Sequence, residues 1–182
     1  LVTPQMRSRA KAVNFGIVYG IGAFSLSKDI GVYRRGAEDY IHDYLRNYKG
    51  VADYMERVVE EAKKNGYVET LFGRRRYLPE LASSNFNMRA FGERVARNMP
   101  IQGTAADIIK IAMVHVRNRL KAEKLDAKLI LQVHDELIVE CPEAESDTVK
   151  KILEEEMANA VQLSVPMLAE AGSGKSWYQA KG

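Results

Sequence analysis

The sequence predicts an α+β protein, mostly helical at first and then an antiparallel sheet with helices packed on it. Three observations predict it. Apolar residues recur at helical spacing through much of residues 4–66 and again over 87–123. Two short stretches, YVETLFGRRRYLPEL (67–81) and KLILQVHDELIVEC (128–141), break that period as hairpins do. The helical stretches come first and the main strands later, an order that suits segregated layers better than alternating βαβ units.

Each element has its own signal. A helix opens near Pro4, whose fixed φ suits a first turn, and runs through good helix formers to Lys11. It continues into NFGIVYGIG, where Gly16, Gly20 and Gly22 loosen its end. Two amphipathic helices follow over 33–50 and 51–66, with Gly50 and Gly66 as their stops, and Tyr40, Ile41, Tyr44, Leu45 and Tyr48 share one face of the first. A hairpin turns around Gly73 and ends at Pro79. From Asn87 a helical pattern extends to about Glu123. Pro100 and Gly103 break it, which predicts two helices meeting at PIQG, the second capped by Thr104. After the hairpin at 128–141 come an acidic helix from about Glu143 to Gln162 and a last strand near VPMLAEAG.

At 182 residues and 46% hydrophobic, the chain can bury one ordinary core or two small lobes sharing one. No apolar run approaches the ~20 residues of a membrane helix, and no charged-then-apolar leader opens the sequence, so a cytoplasmic protein is expected. The first residue is Leu1, not Met, which reads as a cut within a longer sequence. Cys141 has no second cysteine to pair with and reads as a buried strand-end thiol; with three scattered histidines, no zinc-type cluster is expected. Residues 1–100 carry 17 Lys and Arg against 11 Asp and Glu, whereas residues 101–182 carry 10 against 13. A basic first part suits a surface that holds a polyanion.

Four constellations could carry chemistry. Arg7, Lys11, Phe15 and Tyr19 stand four residues apart, so they form one slowly drifting helical row of two cations and two rings. Such a row could cradle a nucleotide, the cations on its phosphates and the rings on sugar and base. It also fits a helix with solvated basic residues and core aromatic ones, a reading against which the flanking glycines weigh. Arg94, Asn98 and Gln102 form a second row of donor-rich side chains, suited to phosphates, sugars and groove edges or to a plain solvated stripe. Arg74, Arg75 and Arg76 at a hairpin turn could grip phosphates or simply face solvent. Finally, Asp135 and Glu136 sit beside His134 at the tip of an apolar hairpin that offers neither Gly nor Asn for a tight turn. Adjacent carboxylates there repel unless a cation answers them, and hard oxygen ligands suit Mg²⁺; the other reading is a solvated acidic turn. GSGKS at 172–176 lacks the leading glycine and following helix of a phosphate loop and reads as a terminal loop.

Together these stretches resemble the family A DNA polymerases. RSRAKAVNFGIVYG is similar to that family's nucleotide-binding pattern R-x3-K-x3-F-G-x2-Y-G, LQVHDELIVE to its second palm carboxylate motif, and ERVARNMPIQGTAADIIK to the helix pair between them. The likeness covers nearly all 182 residues in the same order. It implies a mostly helical fingers subdomain over 1–80 and, over 81–182, the C-terminal half of the palm with part of its antiparallel sheet.

The resemblance implies that Arg7 and Lys11 hold the incoming dNTP and that Lys11 protonates the leaving pyrophosphate. It implies that Phe15 stacks on sugar and base, disfavouring dideoxynucleotides, and that Tyr19 lies near the nascent base pair and helps exclude a 2′-hydroxyl. Arg94, Asn98, Gln102 and His134 would touch primer–template DNA, largely through the minor groove. Asp135 would bind catalytic Mg²⁺ with Glu136 in support. A two-metal site needs a further Asp from a D-Y-S-x-I-E-L-R-like motif upstream, and nothing like it occurs in this sequence. Three expectations compete: part of a larger polymerase, inactive alone; a non-catalytic nucleic-acid-binding module; or one subunit of a split polymerase. A palm sheet missing a strand would expose an edge and invite self-association.

Overall fold

The computed structural model describes residues 2–181. Leu1, where the sequence suggests a cut, lies outside them. The chain forms two compact units, Leu1–Thr104 and Ala105–Gly182. That geometrical division falls later in the chain than the boundary at 80/81 suggested by sequence.

In the first unit, helix α1 (Pro4–Val18) starts with Thr3 as N-cap, its side chain accepting from the Met6 N–H, and Pro4 in the first turn. Helix α2 (Ala23–Ile30) is one that the sequence reading overlooked. Its eight residues include two serines and an aspartate, so its propensity is poor, and it is held by burial of Leu26 and Ile30 in a cluster with Ala37.

Helices α3 (Arg34–Asn47) and α4 (Lys49–Asn65) match the two amphipathic stretches, but Gly50 is not the stop between them. The chain breaks at Tyr48, whose ψ of 64° is not helical, and Gly50 lies in the first turn of α4, where its flexibility costs little. Gly66 does end α4. The expected apolar face of α3 is only partly covered. Ile41 packs on the Leu26 cluster and the Tyr44 hydroxyl donates to Asn14 Oδ1 at 2.5 Å, while Tyr40 and Tyr48 are exposed.

Strands β1 (Tyr67–Glu69) and β2 (Arg75–Tyr77) pair antiparallel in the register Tyr67↔Tyr77 and turn through Gly73, as expected. Val68 buries with Val58, Val59, Ala62, Leu78, Leu81 and Ala96 to form this unit's larger core.

Helix α5 (Phe86–Ala122) corrects a second expectation, because no break into two helices occurs at PIQG. Pro100 lies inside it, removing one backbone donor. Thr104, expected as an N-cap, instead donates its hydroxyl to the Pro100 carbonyl at 2.5 Å and accepts from the Leu71 N–H at 3.0 Å. The hairpin tip thus shares in supporting the helix where the proline weakens it.

The second unit holds the later part of α5, strands β3 (Lys128–Val133) and β4 (Glu136–Glu140), and helices α6 (Ser146–Ala158) and α7 (Trp177–Ala180). Val116, Leu120, Leu137, Val149 and Ile152 form its core. Cys141 follows β4 and packs partly buried against that core, where burial pushes its thiol pKa up. The acidic helix is shorter than expected: a 3-10 turn at Glu143–Glu145 precedes it, and it ends at Ala158.

The expected last strand near VPMLAEAG is absent among the described residues. β3 and β4 pair only with each other, and Pro166 lacks a ladder donor. The Ala171 N–H bonds instead to Glu154 Oε1, and Met167 packs on the core. GSGKS lies in the loop leading to the single turn of α7, whose N-cap is Ser176.

Candidate functional site

Arg7, Lys11, Phe15 and Tyr19 all lie on the exposed side of α1, whose one buried residue is Ile17. The rings are not core residues. Phe15 is 47% and Tyr19 38% exposed, which decides against the core-aromatic alternative. Their centroids stand 5.9 Å apart with planes tilted by 35°, and the Lys11 ammonium lies 5.9 Å from the Phe15 centroid. The result is a continuous strip of cation, ring and ring, solvated and without covering side chains that would have to move aside.

Backbone chemistry fixes the lower end of that strip. A Cβ on Gly16 would meet Ile21 Cγ2 at 2.7 Å, so the chain folds back against α1 at a point open only to glycine. Gly20, with φ of +72°, lies against α5, where an added Cβ would come within 3.3 Å of Arg94 Cγ. Gly20, which follows the last member of the first row, thus lies against Arg94, the first member of the second.

The second row is not uniform. Arg94 and Gln102 are exposed, and the Arg94 guanidinium stands 5.9 Å from the Phe91 ring centroid. Asn98 is half-buried, and its Oδ1 is fully covered with no hydrogen-bond partner. A buried acceptor left unpaired costs about 1–3 kcal/mol, so this is not a simple solvated stripe. Among the hairpin arginines, Arg75 is committed within its own hairpin. It bonds Glu69 at 3.0 Å, holding its pKa up, and its guanidinium sits 4.4 Å from the Tyr67 centroid.

In the second unit, His134 and Asp135 are the two loop residues of the β3–β4 hairpin, between the paired Val133 and Glu136. The missing Gly or Asn is answered by His134 itself, which adopts φ of +51°, a left-handed conformation uncommon outside glycine that His takes up more often than most residues. Its carbonyl accepts from Gln132 Nε2 at 2.6 Å. Asp135 is exposed and, among the described residues, its carboxylate makes no hydrogen bond or ion pair. Glu136, half-buried, is bound by Lys181 Nζ at 2.9 Å. Sequence reasoning missed Lys181, and no spacing could have found it, since the contact spans forty-five positions of chain.

Comparison with known proteins gives a consistent answer. Residues 1–179 match the model of DNA polymerase family A. DNA polymerase I of Bacillus subtilis is 54% identical over 180 residues, covering 99% of this chain and 20% of the relative. The Caldicellulosiruptor bescii protein of the same name is 51% identical, covering 99% of this chain and 21% of the relative. The chain thus spans about a fifth of the length of these relatives. Among solved structures, the POL domain of Pol1 from M. smegmatis, in complex with DNA primer-template and dNTP, superposes with a TM-score of 0.95. It is 44% identical, and the match covers all of this chain and 32% of that one. The chain belongs to DNA polymerase family A.

Proposed function

We propose that this chain is the part of a template-directed DNA polymerase that binds the incoming dNTP and contacts the primer–template near its 3′ end, and that it does not extend a primer alone. The observation that carries this reading is the exposed α1 strip. Arg7 and Lys11 are free to neutralise a triphosphate, while Phe15 and Tyr19 present ring faces to sugar and base. The subdomain boundary at 80/81 between fingers and palm is part of the same proposal.

Arg94, Asn98, Gln102 and His134 are the proposed DNA contacts. Their donors and acceptors suit the minor groove, where duplex shape is checked with little sequence information. The cytoplasm is the proposed location; no described helix is long and apolar enough to cross a membrane.

Mg²⁺ fits the residues present in part. Asp135 offers a hard, unpartnered oxygen donor at the tip of a paired hairpin, which suits an ion that takes one or two carboxylates and fills its shell with water and phosphate oxygens. No group of three or more His, Cys, Asp or Glu gathers among the described residues, so these residues form no cage of their own. When bound, the metals stabilise charge on the attacking and leaving oxygens of phosphoryl transfer. This chain's own contribution is orientation: Asp135 presents a carboxylate, Arg7 and Lys11 hold the phosphates, and Lys11 gives a proton to the leaving pyrophosphate.

The test is a titration of the 182-residue chain with a dNTP, followed by NMR. Shifts should concentrate on Arg7 to Tyr19, and Lys11→Ala or Phe15→Ala should each weaken binding about tenfold, in line with charge-assisted bonds and base stacking of ~1–3 kcal/mol. Shifts elsewhere, or none, would remove the α1 reading. Robust Mg²⁺-dependent primer extension by the chain alone would refute the claim that a further carboxylate is required.

A further inference from the structure

The two neighbouring carboxylates at the β3–β4 tip have unlike surroundings. Asp135 is exposed and free of ion pairs among the described residues, whereas Glu136, the first residue of β4, receives Lys181 Nζ on its Oε1 at 2.9 Å. Lys181 is not a loose tail residue. Its N–H donates to the Trp177 carbonyl at 3.1 Å, and its ammonium stands 5.6 Å from the Trp177 ring centroid. The turn carrying it is tied at both ends, Ser176 Oγ accepting from the Gln179 N–H and Gln179 Oε1 accepting from the Lys175 N–H at 3.0 Å.

We propose that Lys181 is a positioning residue for the carboxylate hairpin: it holds Glu136 in its own ion pair, so that Asp135 alone is presented to a divalent cation at the tip. The physical reason is competition. Two adjacent carboxylates would otherwise share an incoming cation or repel each other, and neither would have one fixed orientation. A cation fixed by the protein takes up one of them and leaves the other available. The division of labour rests on the reading of Asp135 as a metal ligand, but the clamp itself does not.

The experiment uses the 182-residue chain, with Lys181→Met and Lys181→Arg variants, and two readouts. The first is amide exchange at residues 133–137 without added metal. Lys181→Met should speed exchange about two- to fivefold, the size expected when a half-exposed ion pair is lost, and Lys181→Arg should restore most of the protection. Unchanged exchange in Lys181→Met would overturn the proposal. So would equal loss in both variants, since that would make the contact one of shape and not of charge.

The second readout is paramagnetic broadening by Mn²⁺ alone. In the parent chain it should centre on the Asp135 carboxylate and spare that of Glu136; in Lys181→Met it should reach both. Broadening that already covers both carboxylates in the parent chain would overturn the proposal. Mn²⁺ that broadens neither would instead remove the metal reading of Asp135, and the exchange rates would then decide the clamp by themselves.

Discussion

Ile21 Cγ2 stands 2.7 Å from the point that a Cβ on Gly16 would occupy, and the Ile21 N–H donates to the Gly16 carbonyl at 2.8 Å. Alanine is the better helix former by about 1 kcal/mol, so an exposed helix would gain from Gly16→Ala. Here overpacking against a β-branched side chain at the chain reversal costs ~1–3 kcal/mol and outweighs that gain. Gly16→Ala should lower the melting temperature and weaken dNTP binding, because the overpacked position on α1 lies between Phe15 and Tyr19. A variant more stable than the parent would show that the contact relaxes freely.

Thr104 makes two bonds, donating to the Pro100 carbonyl and accepting from the Leu71 N–H. At 8% exposure it cannot readily exchange either for water. Thr104→Val keeps the shape and removes both, leaving the Leu71 N–H unpaired at a cost of about 1–3 kcal/mol. Thr104→Ser should recover most of that loss. Urea unfolding of the three proteins checks the order, and equal midpoints for Thr104→Val and the parent would mean that the proline region needs no support from the hairpin.

Much of this was legible in the sequence, for reasons that particular residues make plain. Helices α1, α3 and α4 announce themselves through period and through Pro4 and Gly66, and both hairpins through strand-like runs around their turns. The functional rows were legible because helical spacing puts Arg7, Lys11, Phe15 and Tyr19 on one face whatever surrounds the helix. What failed depended on tertiary contacts. Helix α2 exists because Leu26 and Ile30 bury, not because its residues favour helix. Pro100 fails to end α5 because Thr104 and the tip of a distant hairpin support the weakened turn. Gly50 reads as a stop only if one overlooks that a helix tolerates glycine in its first turn. The last strand needed a partner that no local pattern supplies, and Lys181 reached Glu136 only once the chain had folded.

Glu93 shows how pH should act on the first unit. Its Oε1 accepts from Lys63 Nζ at 2.6 Å, and that bond, helped by the charges of Lys63, Arg97 and Arg89, holds the carboxyl below its ordinary pKa against the opposing effect of burial. A carboxyl depressed in the folded state adds stability that is present above its unfolded pKa, about 4.3, and is lost as pH falls through the lower folded value. Glu93→Gln should therefore be less stable than the parent at pH 7, by a few tenths to about 1 kcal/mol for so solvated a pair, and the gap should narrow as pH falls below the unfolded pKa of about 4.3. Chemical denaturation at pH 7 and pH 3.5 measures it. A gap as wide at pH 3.5 as at pH 7 would assign the loss to packing and not to charge.

His134 holds φ of +51° between Val133 and Glu136, a conformation that costs a residue with a Cβ roughly 1–2 kcal/mol. Glycine would relieve that cost but gives back ~0.5–1 kcal/mol as unfolded-chain entropy, so His134→Gly should leave the second unit as stable as the parent or slightly more so. His134→Asn should be close to neutral, since Asn tolerates this region. His134→Val should be clearly destabilising, because a β-branched side chain adapts worst to positive φ. If the imidazole is retained at this position for primer–template contact, all three variants should weaken primer–template binding regardless of their stability order, with Asn, which keeps a donor and an acceptor, weakening it least. Thermal melts and DNA titrations on the same four proteins separate the two roles. Binding losses that simply follow the melting temperatures would reduce His134 to a turn residue.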